Sequence, residues 1–293
     1  MANIRLREKE NLSSFRRIAL GTWKTVGDPS VYGTIKLRAE KMVAYIDAFR
    51  ARTGKRVTIT HVMAKAVAQV LAELPDANAI LRRNRIYLRD EIGVFFQVAM
   101  EDPVTGEIDL SGTTIFAAHE KSLEEIYDEF SARVTKVKKG KDTELEGTRS
   151  TFKKIPYRLL GTFLDLLGYL SYELNLDLKW AGVPRDAFGS VMVTNIGSLG
   201  LEEAYVPLVP YSRVPLLIAV GAVQDEAVIE DGRVMPGKVL RACATFDHRV
   251  LDGMHAAHMS RAIKRIFADP EGTLGALPKG VPEKATEASA AGD

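Results

Sequence analysis

Two runs of the chain are apolar almost without interruption: IGVFFQVAM at 92–100 and PLLIAVGAV at 215–223. A strand of this kind has no polar face to turn toward water, so both of its faces need cover. Any fold open to this chain places such strands inside a sheet buried between layers. The chain has 293 residues, 46% of them hydrophobic, so a large core is within reach.

The remaining pattern mixes both element types. VYGTIKL (31–37) alternates and reads as a strand, as do RIYLR (85–89) and TTIFA (113–117). Apolar residues recur at helical spacing in 39–53, which Gly54 ends, and in HVMAKAVAQVLAEL, which Thr58 or Thr60 can cap and Pro75 follows. FRRIALGTW (15–23) predicts a short helix, SLEEIYDEFSARVTKV (122–137) an amphipathic one, and 155–180 a long helix-like segment. A turn is expected around Pro103 and Gly106 and a polar linker near 138–150. GSVMVTNIGSLG (189–200) runs from strand into a glycine-rich loop. Residues 227–246 form a hairpin around Asp231-Gly232, and a helix runs from Gly253 to Phe267. The first 14 residues are polar and read as a flexible segment, and 278–293 as a disordered tail, leaving 15–277 as one domain. This is α+β order without the βαβ rhythm of a doubly wound fold, and neither GxGxxG nor GxxxxGK[ST] occurs.

Net charge is +2, so no global field draws in nucleic acid or membrane. The single cysteine, Cys243, rules out a disulfide within the chain and fits a cytoplasmic protein. The charged N-terminus is not a signal peptide, and no apolar run is long enough for a stable membrane span.

The stretch TFDHRVLDGMHAAH (245–258) concentrates chemistry. Taken alone, His248 reads as a structural histidine bonded to a nearby carbonyl, and Asp252-Gly253 as a turn with a helix N-cap. His255 and His258 sit three apart, but no HExxH or cysteine cluster accompanies them, so no metal site is expected. His61 fits a first helical turn and His119 a loop.

Asp247-His248-Arg249-Val250-Leu251-Asp252-Gly253 resembles the D-H-R-V-x-D-G signature of the dihydrolipoamide acyltransferase catalytic domains of 2-oxo-acid dehydrogenase complexes, which share a motif with chloramphenicol acetyltransferase. VTNIGSLG (193–200) resembles the family's I-S-N-L-G-x-x-G, PDANAI (75–80) its P-x-x-N-A, and LLIAVG (216–221) one of its buried strands, all in the family's order. The resemblance covers roughly 15 to 270. It implies a chloramphenicol acetyltransferase-like fold, a mixed β-sheet flanked by helices, with the active site at a trimer interface.

The implied activity moves an acyl group between coenzyme A, a substrate here, and a dihydrolipoyl-type thiol. By resemblance His248 is the general base and Thr194 the oxyanion donor. Asp252 braces the loop, through an arginine for which Arg16 and Arg17 are the candidates. Asn195, Gly197 and Gly253 support the site. A plain β-strand threonine is the bland alternative for Thr194. Coenzyme A-contacting residues are not assigned.

Three departures stand out. Only about 14 residues precede the resemblance, so no bound lipoyl group is expected on this chain and a lipoyl protein would act in trans. The family's G-L-x-x-P-V stretch is not matched in full here: EDPVTG lies between IGVFFQVAM and EIDLSGTTI, with a P-V pair but without the G-L, which points also to a small-molecule or carrier-protein acceptor. Residues 150–187 form a helical insert, with Leu160, Phe163, Leu164, Leu167 and Leu170 on one face. Three roles are open to it: packing on the core or a second subunit, a lid or pocket for a longer acyl chain, or membrane-surface docking with Lys153, Lys154 and Arg158 as basic flank. The family's leucine-rich C-terminal finish is thinned to Leu274 and Leu277, so a homotrimer is expected ahead of a larger shell. A non-enzymatic oligomeric scaffold of the same fold is the competing class.

Overall fold

The computed structural model describes residues 3–9, 29–101, 108–138 and 156–279. Its centre is a six-stranded mixed sheet of β2 (Ser30–Arg38), β5 (Gly93–Glu101), β6 (Ile108–Phe116), β7 (Val191–Asn195), β8 (Leu216–Glu230) and β9 (Arg233–Asp247). The order is β2-β9-β8-β7-β5-β6, with β7 parallel to both β5 and β8 and the other pairs antiparallel. The two apolar runs thus become central strands. Alternation along them splits the core in two. Val94, Phe96, Val191, Val193, Leu216, Ile218 and Val220 point to one face. Phe95, Met192, Leu217 and Ala219 point to the other.

Helices cover the first face: α1 (Glu40–Thr53), α2 (Ile59–Glu73), α3 (Leu123–Lys138) and α5 (Gly253–Ala268). Irregular chain covers the second, through Phe188, Ala204, Val206 and Leu208. Its contact with the sheet is fixed by the Thr245 hydroxyl, which donates to the Val206 carbonyl at 2.7 Å. Helix α1 stops where Gly54 turns left-handed, φ 68°. Thr58 caps α2, with His61 completing the box. The β8–β9 hairpin turns on Asp231 and Gly232, both at positive φ as a tight hairpin requires.

Several expectations need correction. Strand 113–117 begins earlier, at Ile108, and 215–223 is only the start of a strand that continues to Glu230. The N-terminal segment read as flexible contains β1 (Leu6–Glu8), which pairs with β4 (Arg85–Arg89) in a small antiparallel sheet of order β1-β4-β3, where β3 is Ala79–Arg82. The segment 155–180 is not one helix. Helix α4 (Tyr157–Gly168) passes into one π-helical turn, 169–173, and then leaves helical geometry. Asn175 sits at φ 56° and exchanges two 2.8 Å bonds with the backbone of Ile4, so pairing with the N-terminal segment ends the helix. A last short helix, α6, is Pro270–Leu274. The expected helix at 15–23, the turn around Pro103–Gly106, residues 139–150 of the linker, 151–155 after it and the tail from 280 lie outside the described residues. No described helix is long and apolar enough to cross a membrane.

Between the small sheet and the chain after α4 lies a buried ion pair. Arg89 donates from Nη1 to both carboxylate oxygens of Asp186, at 2.7 and 2.6 Å, and neither side chain is more than 8% exposed. Beside it, burial and then the Asp186 charge push the Tyr172 hydroxyl to a raised pKa.

Candidate active site

Strand β9 ends at Asp247, whose N–H still donates to the Pro215 carbonyl. The chain then turns sharply. Asp247 O accepts from the N–H groups of Val250 and Leu251, both at 2.9 Å, and its two carboxylate oxygens accept from Nε and Nη2 of Arg249 at 2.9 and 2.7 Å. Val250 and Leu251 are buried in the helix-side core, so the turn is anchored from below. His248 is held at two points. Its N–H donates to the Pro29 carbonyl at 2.9 Å, and its Nδ1 lies 2.9 Å from the Leu251 carbonyl oxygen. A carbonyl can only accept, so Nδ1 carries the proton and Nε2 presents a lone pair.

Asp252 caps α5. Its carboxylate accepts from the N–H of Met254 at 3.0 Å and of His255 at 3.1 Å, and from His255 Nδ1 at 2.6 Å. His255 stands at N3, the capping-box position, and closes the cap from there by donating to the carboxylate. Arg16 and Arg17, the candidate partners of Asp252, lie outside the described residues. A Cβ at Gly253 would meet nothing within 4 Å, so close packing does not explain that glycine.

Thr194 lies on β7 with the parity of Met192 and Ile196, on the face away from the helices. Asn195 points the other way. Its Nδ2 donates to Thr60 Oγ1 at 2.9 Å, and its Oδ1 accepts from Ser198 N at 3.1 Å. Thr58, not Thr60, caps α2, which leaves Thr60 for this bond. At Gly197 a Cβ would come within 2.6 Å of Ala222 N, so the loop can approach β8 only with glycine there.

The register shows that one chain does not bring Thr194 and His248 together. Thr194 pairs with Ala219, which pairs with Cys243. Cys243 to Asp247 is about 13 Å along β9, and two strand spacings across the sheet add about 10 Å. The covering segment tied to Thr245 lies over this same face.

The insert, for which a lid or pocket is one of three open roles, forms one wall of a cavity whose other walls the sequence did not indicate. A cavity of about 970 Å³ is lined by Pro29, Asp247 and Arg249, by Pro207–Val214 except Ser212, and by one face of α4. The predicted apolar face of α4 is correspondingly only half buried at Phe163, Leu164, Leu167 and Leu170, while the side chain of Leu160 is outside the described residues. Lys153 and Lys154 are outside them too, as is the side chain of Arg158. Among the described residues no group of three or more His, Cys, Asp or Glu side chains is placed to hold a metal ion.

With this geometry in view, the comparisons with known proteins are direct. The chain matches the family described as 2-oxoacid dehydrogenases acyltransferase (catalytic domain) over residues 8–153 and 186–275, and it belongs to that family. The match skips 154–185, the segment holding α4. The lipoamide acyltransferase component of the branched-chain alpha-keto acid dehydrogenase complex of Bacillus subtilis is 24% identical over 245 residues. That alignment covers 82% of this chain and 46% of the relative, so the chain spans about half the length of the curated protein it matches. A probable dihydrolipoamide acetyltransferase from Listeria monocytogenes has the same fold, with TM-score 0.63, 20% identity, and coverage of 93% of this chain and 99% of that one. So does the dihydrolipoamide acetyltransferase of Azotobacter vinelandii, in a structure addressing the role of one serine, one histidine and one asparagine in its catalytic mechanism (TM-score 0.62, 20% identity, coverage 91% and 94%). The α+β fold with a mixed sheet flanked by helices is that of these acyltransferase cores.

Proposed function

We propose that this chain transfers acyl groups between coenzyme A and a thiol of dihydrolipoyl type or another acceptor. The observation that carries the reading is the bond from His248 Nδ1 to the Leu251 carbonyl, which fixes the tautomer a general base needs. A thiol near neutral pH is largely protonated and a weak nucleophile. As the acceptor sulfur attacks the thioester carbonyl, its proton passes to His248 Nε2 and a C–S bond forms. The tetrahedral intermediate then collapses. The original C–S bond breaks, and the departing thiolate takes the proton from Nε2.

The intermediate's oxyanion needs a donor aimed at it. Thr194 is that donor in this reading, supplied by a second copy, because the register separates it from His248 within one chain. Family membership supports the acyltransferase class. The Azotobacter histidine and asparagine stand four positions apart, and four positions after His248 comes Asp252, the residue that holds the turn and the helix start. A closed homotrimer satisfies the shared site at each of its interfaces.

The test is thiol release from acetyl-CoA with dihydrolipoamide and a panel of other acceptors, for wild type and His248→Ala. Turnover abolished by the substitution is expected. Wild type that neither turns over any acceptor nor binds coenzyme A would contradict the reading.

A further inference from the structure

The cavity beside the His248 turn has one wall that lies outside the family match. Its volume, about 970 Å³, is at the upper end for small-molecule sites. One wall is α4, within the segment that the family match leaves out. Gly161, Leu164, Asp165 and Gly168 line it, positions that follow the i, i+3, i+4, i+7 spacing of one helical face. The opposite wall is 207–214, folded back on itself by Ser212, whose hydroxyl donates to the Val209 carbonyl at 2.7 Å. Arg213 adopts φ 58°, a costly conformation for a branched-off side chain, and reaches Glu173 at 3.2 Å, pinning the two walls together.

The charges decide what such a cavity takes. Its two arginines are each ion-paired, Arg213 with Glu173 and Arg249 with Asp247, and Asp165 is the remaining charge on the wall. Among the described residues, no unpaired cation on that wall invites phosphates. The rest is mainly apolar, with Pro29, Leu81, Leu164, Pro207, Leu208 and Val209, together with the hydroxyl-bearing Ser30 and Tyr211. Glycine is a poor helix former, yet α4 places two on the cavity side, where an added Cβ would meet nothing within 4 Å. Their lack of side chains keeps the space open.

We infer that this cavity is an acyl-chain pocket, built by the inserted helix, that selects thioesters with an extended hydrocarbon tail over acetyl groups. The inference rests on the acyltransferase reading above. The probes are acetyl-, butyryl-, octanoyl- and dodecanoyl-CoA, measured for binding and for transfer to the best acceptor. Affinity should rise about fourfold per buried methylene until the pocket is full. Gly161→Leu fills the space from the wall, improves helix propensity, and should cut the ratio of octanoyl to acetyl transfer at least about tenfold, with Gly161→Ala intermediate. Thermal unfolding of each variant confirms that it is folded. A flat profile across the series in wild type, or parallel profiles for wild type and Gly161→Leu, overturns the pocket while leaving the acyltransferase reading intact. Failure to bind or turn over any thioester overturns that reading instead.

Discussion

His248 Nδ1 and the carbonyl oxygen of Leu251 lie 2.9 Å apart, across a turn whose two apolar residues are buried in the helix-side core. A backbone carbonyl thus helps set the orientation of the imidazole. Because the support is a main-chain atom, replacing the ring should remove catalysis without moving the turn. His248→Ala is expected to lower turnover by about 100- to 10,000-fold with little change in unfolding temperature. A loss of stability in proportion to the loss of activity would assign His248 a structural role.

Asp252 holds the next link. Its carboxylate accepts three bonds at the start of α5, so Asp252→Ala should cost about 1 kcal/mol of stability, read by denaturant unfolding. Asp252→Asn keeps an acceptor for the helix N–H groups and should recover most of that stability. It should recover less of the His255 contact, which favours a carboxylate.

How much of this was legible beforehand varied with the kind of interaction. The central strands could be placed because a run such as IGVFFQVAM has only one kind of environment open to it. Gly54 and Asp231-Gly232 announced their turns by conformation. The end of α4 was not legible, since it depends on Asn175 meeting Ile4, 171 positions away. Strand β1 was missed for the same reason: a three-residue edge strand has no period of its own and exists by pairing with β4. At the site, His248 stood out as a residue type in a motif. That it bonds a nearby carbonyl was also legible; which carbonyl was not, because that of Leu251 has no sequence signature. The cavity had one faint signal, two glycines seven apart in a leucine-rich helix.

Stability should respond to pH through a residue outside the site. Burial first, then the Arg50 charge, lowers the His61 pKa from 6.5 to about 4. The folded protein therefore holds this ring neutral where the unfolded chain would protonate it. Stability is full above pH 6.5 and is lost as pH falls from there toward 4, by about 3 kcal/mol in total. His61→Gln retains a capping-box residue at that position and should flatten the pH dependence across this window. Urea unfolding at several pH values measures it, and an unchanged slope in the variant would assign the acid sensitivity elsewhere.

The Arg89–Asp186 pair joins β4 to the chain between α4 and β7. Asp186→Ala strands a buried guanidinium and should cost about 3–5 kcal/mol in chemical denaturation. A cost under about 1 kcal/mol would mean that water reaches Arg89.

The central claim is that His248 of one copy works with Thr194 of another. Sedimentation must first show an oligomer, since a monomer cannot build such a site. The direct measurement is to prepare His248→Ala and Thr194→Ala separately, then co-express them and assay acyl transfer. Each alone should be impaired, Thr194→Ala by about 100- to 1000-fold. Randomly mixed closed oligomers would regain about one quarter of wild-type activity, because that share of interfaces pairs an intact histidine with an intact threonine. Recovery to that level is the predicted result. Mixed oligomers no more active than the average of the two separate variants would contradict the account.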